Sequence, residues 1–165
     1  MPIPRSELRL SEEDLEDLLR TERTMRVGTV SPEGGPHVVP LWFVWHAGAI
    51  WINNLRRSRR SRDLSAGSEV ALCIDTGHDY FELRGAVLYG RPEQVPRDDP
   101  ALESVRKGFG AKYFGGFEVP DVKSHVWLKV VPENIVSWDF RRIPAGRDGR
   151  AEASKRQADT KTAAD

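Results

Sequence analysis

The chain has 165 residues, 25 of them basic and 25 acidic, giving a formal net charge of zero, and it carries a single cysteine. That length suits one domain with one sizeable core, the balanced charge argues against a globally basic nucleic-acid binder, and a lone thiol excludes an internal disulfide. No apolar run approaches the ~20 residues of a membrane span and the N-terminus is polar and acidic, so the expected location is the cytoplasm, with neither membrane nor nucleic acid as partner.

Residues 1–10 read as a lead-in. Ser11 followed by Glu12, Glu13 and Asp14 is a capped helix start, and Leu15, Leu18 and Leu19 repeat at helical spacing, which predicts a helix to about Glu22. A strand is expected over 24–30, then a turn at Ser31-Pro32-Glu33-Gly34-Gly35. A second strand runs from His37 to Trp45. Val38, Val39, Leu41, Trp42, Phe43 and Val44 make it apolar on both faces, so one face is expected to meet a ligand or partner. After His46-Ala47-Gly48 the chain turns, and Ile50 to Asn54 pairs back. A basic run then opens a helix ending near Gly67. Strands follow over 70–75, with Cys73 as a small buried residue, and over 80–90, with Gly85 at a bulge or kink. A helix from Asp98 to about Phe114 stops at Gly115-Gly116, and 125–131 with 134–140 make a closing hairpin around Pro132-Glu133. Residues 144–165 lose apolar content and are expected to form a disordered tail, leaving 11–143 as the folded domain. Six or seven antiparallel strands joined by short turns, with few helices, predict a mainly β protein built as a small Greek-key barrel.

The densest chemical signal is Arg56-Arg57-Ser58-Arg59-Arg60-Ser61-Arg62, five arginines in seven residues between two strands. Guanidinium forks bind phosphate oxygens bidentately, and the hydroxyls and backbone amides of a helix start add further donors. A solvated basic face is the plain alternative. The aromatic stretch Pro40 to Trp45 reads as core or as the wall of a groove for a planar ring, joined by Trp51 and Trp138. His78-Asp79 reads as a loop pair or an acid–base pair. The four histidines have no metal spacing, Gly108 to Tyr113 lacks the GxGxxG pattern, and neither a G-x-S-x-G nor a P-loop occurs.

Taken in order, these segments resemble the pyridoxamine-phosphate-oxidase-like split β-barrel flavoproteins, and among them the branch that uses the deazaflavin coenzyme F420. The likeness spans roughly 15–140. It rests on Met25-Arg26-Val27-Gly28-Thr29-Val30, the Pro-Leu-Trp-Phe-Val strand from Pro40, Ser58 to Leu64 followed by Val70-Ala71-Leu72, the strand Glu82 to Val87, and the closing Val136-Ser137-Trp138. The resemblance implies a split barrel that is a homodimer with the cofactor at its interface. It places the phosphate on Ser58, Arg59, Arg60 and Arg62, the ring against Asn53 and Asn54, and Val39, Pro40, Leu41 and Trp42 beneath the ring. Tyr80 and Phe81 would reach the partner's cofactor and Trp138 would close the groove. FMN-using relatives carry basic residues where this chain reads Val38 to Phe43, which favours F420 over FMN, and Asp63 stands where relatives often have Asn. The expected function is hydride transfer between reduced F420 and an unsaturated small organic substrate. An FMN-dependent oxidoreductase or a non-catalytic carrier of the same fold are the alternatives. Catalysis requires no strong side-chain acid or base; Tyr80 and His78 are the candidate proton donors.

Overall fold

A computed structural model describes residues 4–65 and 69–143, with the backbone alone for Arg60 and Ser65. The first helix, α1 (Glu12–Thr21), begins as its sequence demands: the Ser11 hydroxyl oxygen accepts from the Asp14 N–H, and Leu18 and Leu19 are buried. The strands β1 (Met25–Val30) and β2 (Pro36–Leu41) form an antiparallel pair, and β3 (Val44–His46) pairs with β4 (Ala49–Leu55). Next come the short helix α2 (Arg59–Ser65), β5 (Val70–Thr76), β6 (Arg84–Gly90) and β7 (Pro92–Gln94). The helix α3 (Ala101–Tyr113) precedes β8 (His125–Val130) and β9 (Asn134–Asp139).

Among the described residues there are nine strands, not six or seven, in antiparallel sheets of order β2-β1-β5-β6-β9 and β3-β4-β8-β7. Alternate residues of each sheet meet in one core. Met25, Val27, Leu72, Ile74 and Leu88 come from the first sheet and Ile50, Ile52, Leu128 and Val130 from the second, with Leu18 and Leu19 of α1 and Leu64 of α2 packed among them. This is the mainly β split barrel. The expected tail over 144–165 lies outside the described residues. No helix among those described is long and apolar enough to cross a membrane.

Five expectations are corrected. The strand over 37–45 is two strands in different sheets. At the junction Phe43 is fully buried, and its N–H and C=O both bond the Tyr113 hydroxyl instead of a neighbouring strand. Because both halves are apolar on both faces, alternation could not reveal the change of sheet. The closing hairpin does not form either: β8 pairs with β4 and β7, whereas β9 pairs with β6. The Glu133 N–H donates to the Tyr89 carbonyl, carrying the chain from one sheet to the other. The strand over 80–90 starts only at Arg84, because Asp79 and Glu82 cap each other around a single 3-10 turn, Tyr80–Glu82. Within it Gly85 is no bulge, since pairing runs unbroken through it to Asp75 and Trp138; a Cβ there would sit 2.5 Å from the Trp138 ring, which fills that space. Finally, Cys73 is only half-buried, because Leu72 and Ile74 take the core-facing positions of β5.

Candidate functional site

The site grows from the outer face of the second sheet. Even-numbered positions of β4 and β8 fill the barrel core, so the odd-numbered ones turn outward. Ala49, Trp51 and Trp127 on that outer face are covered by Leu102, Val105 and Phe109 of α3, residues spaced for one helical stripe. Phe109 meets the Trp127 ring edge-on at 5.5 Å. Two residues further along each strand, Asn53 and His125 occupy the same face, since Asn53 pairs with Trp127 and Leu55 with His125. They form part of a cleft of ≈ 520 Å³, a volume typical of small-molecule sites.

The cleft is walled by Pro40, Leu41 and Trp42 from the end of β2, by Phe109 and Phe114, and by Thr24 and Val119. The Trp42 ring stacks on Tyr113 at 4.5 Å and 9°, with Phe114 edge-on at 5.8 Å. Tyr113 is locked in turn. Its hydroxyl accepts from the Phe43 N–H at 3.0 Å and shares its proton between the Arg23 and Phe43 carbonyls. Burial pushes this phenol up to about 12. We expect Tyr113→Phe to cost about 1–3 kcal/mol, because the buried Phe43 N–H loses its acceptor, as measured by urea unfolding.

Among the described residues, no Asp, Glu, Lys or Arg lines the cleft. Its polar groups are Thr24, Asn53 and His125. The Asn53 Oδ1 is buried without a hydrogen-bond partner. His125 Nδ1 lies 3.1 Å from the Ser124 hydroxyl.

On the other flank of α3, the Lys112 Nζ is buried without a hydrogen-bond partner, 4.0 Å from the centre of the Phe43 ring. Burial pulls this ammonium down to about 8, against a smaller opposing pull from Glu22. Between about pH 8 and the ordinary 10.5, the unfolded chain holds a proton that the folded chain has released, so stability rises with pH across that window. The penalty is complete below about pH 8. Lys112→Met is therefore expected to be more stable than wild type at pH 7, by roughly 1 kcal/mol after solvent screening, with the advantage vanishing as the pH approaches that of a free lysine. Melting temperatures of both proteins across this range check it; an advantage independent of pH would show that Lys112 titrates as a free side chain.

Beyond Asn53, β4 leads directly into the basic run. At ~3.4 Å per residue, Arg56 stands about 10 Å along the strand from Asn53. The Ser58 hydroxyl donates to the Leu55 carbonyl and accepts from the Ser61 N–H, fixing the start of α2. Arg56, Arg57, Arg59 and Arg62 are exposed, and among the described residues none has a carboxylate within ion-pair distance. Elsewhere the arginines are commonly paired, as in Arg26–Asp75, Arg97–Asp121 and Arg142–Asp14. The Glu33 carboxyl in the β1–β2 turn is held below the usual range by its own backbone N–H and the Ser31 hydroxyl, then by the positive field of Arg59 and Arg62. On the inward face of α2, Asp63 is buried, accepts from the Thr29 hydroxyl at 3.2 Å and lies 3.8 Å from His37 Nδ1.

The structure thus brings Pro40, Leu41, Trp42 and Asn53 into one cleft. Asn54 is elsewhere: fully buried on the opposite face of β4, it donates to the Ser61 hydroxyl and the Leu55 carbonyl and so ties α2 to the barrel. Val39 packs against the first core and Trp51 is buried under α3. Tyr80 meets the Phe81 ring edge-on at 5.3 Å and the Phe140 ring at a tilt, His78 is exposed beside them, and Trp138 covers Gly85. Within one chain none of these four lines the cleft. Sequence reasoning missed Thr24, Phe109, Phe114, Val119 and His125. Phe109 and Tyr113, four residues apart on α3, carried the signal of a shared helix face, but that spacing reads equally as plain core. Among the described residues no group of His, Cys, Asp and Glu could hold a metal ion.

Of solved structures, the conserved hypothetical protein Rv2991 from Mycobacterium tuberculosis is similar with a TM-score of 0.77 and 24% identity over 88% of this chain and 95% of that one. An F420 reductase matches with a TM-score of 0.59 and 22% identity over 76% of this chain and 98% of its own. A FAD-binding protein from Mesorhizobium loti matches with a TM-score of 0.62 and 19% identity over 78% of this chain and 92% of its own. These likenesses concern the fold. No curated protein matches the sequence. The family profile described as pyridoxamine 5'-phosphate oxidase matches residues 11–139, which takes in every strand and helix described above, and the chain accordingly belongs to the pyridoxamine 5'-phosphate oxidase family.

Proposed function

We propose that this protein is a homodimeric oxidoreductase that uses reduced coenzyme F420 to reduce an unsaturated small organic substrate. The observation that carries the reading is a juxtaposition on β4. An uncharged aromatic cleft lies at Asn53, and arginines without carboxylate partners among the described residues begin three residues later. The first suits a planar ring and the second a phosphate on the same molecule. The residues present fit such a group: Asn53 has an unmatched buried acceptor, and Arg59 and Arg62 are exposed without a carboxylate partner among the described residues.

In this reading Arg59 and Arg62, with Arg56 nearer the cleft, hold the phosphate. Trp42, Phe109 and Phe114 exclude water from the ring and fix its plane. When bound, the reduced deazaflavin supplies the hydride. The protein supplies orientation and a dry site, and among the described residues no strong acid or base lines its cleft. The apolar wall over Pro40 to Trp42, with no basic side chain, favours F420 over FMN.

Dimerisation is supported by apolar side chains left open at both edges of the larger sheet. Val38 on β2 is 65% exposed and Val136 on β9 is 50% exposed. Sedimentation is expected to give twice the 18.6 kDa chain mass; a monomer at micromolar concentration would defeat this part.

The decisive experiment titrates apo protein with F420 and with FMN side by side, then assays reduction of 2-cyclohexenone and menadione by the loaded protein. Tighter binding of F420 with turnover is the expected result. Protein that is yellow with FMN as purified would establish the FMN alternative, a reading favoured by the likeness to a FAD-binding protein. Binding without turnover of either substrate would mark a carrier.

A further inference from the structure

We infer that the cavity where β7 ends is a second binding site, one that takes a small organic monocarboxylate with a compact apolar body. It lies outside the aromatic cleft and does not rest on the reading of that cleft as a ring site. The cavity follows from unequal strand lengths. Strand β7 pairs with β8 only as far as Gln94, opposite Leu128. After one further bond, from the Val95 N–H to the Trp127 carbonyl, the chain leaves in a turn in which the Asp99 N–H donates to the Pro96 carbonyl. Since β8 begins at His125, its first residues are left without a strand on that side. The Arg97 side chain enters the gap, its guanidinium donating to the Val122 carbonyl at 3.3 Å and reaching the His125 carbonyl at 3.5 Å. What remains is a cavity of ≈ 210 Å³ whose apolar lining is Val95, Pro96, Leu102, Val126 and Trp127. That is below the roughly 300 Å³ at which cofactor-sized ligands begin to fit, so the occupant is one small molecule.

Arg56, Arg97 and Asp121 supply the charge of the lining. Arg97 donates to Asp121 Oδ2 at 2.8 Å. Arg106, on α3, approaches the other oxygen of the same carboxylate only to 3.7 Å, and its Nε and Nη2 are buried without a hydrogen-bond partner. One carboxylate thus serves two guanidiniums. The third, Arg56, is exposed and has no carboxylate within ion-pair distance among the described residues. Of these, Arg56 alone also borders the proposed phosphate site. Positive charge in excess therefore adjoins an apolar floor, and an organic anion answers both. Its carboxylate takes the Arg56 fork, and its body covers Val95, Leu102 and Trp127. Inorganic phosphate leaves that floor in contact with water, a neutral ring leaves the charge uncompensated, and a cation finds the one carboxylate already engaged. His125 lines both this cavity and the aromatic cleft and is the wall they share.

The test needs no turnover. The full chain, isotopically labelled and free of cofactor, is titrated with benzoate, benzamide and inorganic phosphate at neutral pH and constant ionic strength, followed by NMR. Benzoate is expected to bind about tenfold or more tightly than either of the others. The resonances that move should be the backbone amides of Val95 and Val126 and the Trp127 indole, while the Trp42 indole in the cleft stays in place. In Arg56→Gln the affinity for benzoate should fall about tenfold and that for benzamide should change by less than twofold. Equal affinities for benzoate and benzamide in the wild-type protein would overturn the assignment, and that comparison does not depend on any variant folding. Phosphate binding as tightly as benzoate would overturn it by marking a plain anion patch. Shifts confined to Thr24 and Trp42 would overturn it by placing benzoate in the cleft, and no saturable binding of benzoate would do so as well. None of the probes is a flavin or deazaflavin, so failure of the F420 reading leaves these outcomes unchanged.

Discussion

Replacing Arg59 and Arg62 together by Ala is expected to weaken binding of F420 by roughly 100-fold at low ionic strength, since each charge-assisted guanidinium–phosphate contact contributes about 1.5–3 kcal/mol and both sites are solvent-screened. Both side chains are exposed and have no carboxylate partner among the described residues, so their removal takes little from the fold. Surface changes of this kind alter stability by about 0.5 kcal/mol or less, and the melting temperature should move by no more than about 2 °C. The loss of affinity should shrink at high salt. Arg59→Lys alone should cost less, because charge remains while the bidentate fork is lost. A solvated basic face predicts the opposite pattern, with affinities equal within twofold for all these variants. Titration of wild type and double variant at low and high salt separates the two.

Gly110→Ala is expected to destabilise the protein by about 2 kcal/mol, against the ordinary preference of helices for alanine. Glycine inside a helix costs about 1 kcal/mol relative to alanine, so propensity alone predicts a gain. Here a Cβ would fall 2.2 Å from the Phe117 carbonyl oxygen, which is backbone and cannot rotate away. The close approach exists because the chain folds back after α3: the Gly110 carbonyl accepts from the N–H groups of both Phe114 and Gly116. Forcing Phe117 outward also shifts Phe114, a wall of the cleft, so ligand affinity should fall with stability. Gly108→Ala in the same helix is the control. Its Cβ would meet only the Val44 side chain, at an ordinary 3.5 Å. That variant should be as stable as wild type or up to about 1 kcal/mol more so. For a domain of this size the two variants should differ in melting temperature by roughly 4–12 °C, readable by calorimetry. Two variants of equal stability would show that the segment after α3 yields without cost.

Much of the fold was legible in the sequence because local chemistry fixes it. Ser11 with its following acids starts α1, the leucines at 15, 18 and 19 give its inward face, and the strands expected over 24–30, 50–54 and 70–75 form over 25–30, 49–55 and 70–76. Order and spacing of these segments also sufficed to suggest the family, and with it Pro40, Leu41, Trp42 and Asn53, which do share one cleft. The sequence did not decide which sheet each strand joins. Period-two alternation states that a residue has two faces, but nothing in it distinguishes pairing with the next strand from crossing to the other sheet. Hence the chain breaks at Phe43, and the residues after Pro132 leave β8 for β6. Nor could it separate Asn53 from Asn54: the two are identical in type and adjacent, yet one faces the cleft and the other the barrel beneath α2. His125 and Phe114 lie far from both asparagines in the chain and meet Asn53 only through sheet pairing and the packing of α3. A site assembled across strands from different parts of the chain is set by register and by what a helix leaves uncovered, and only tertiary packing determines those.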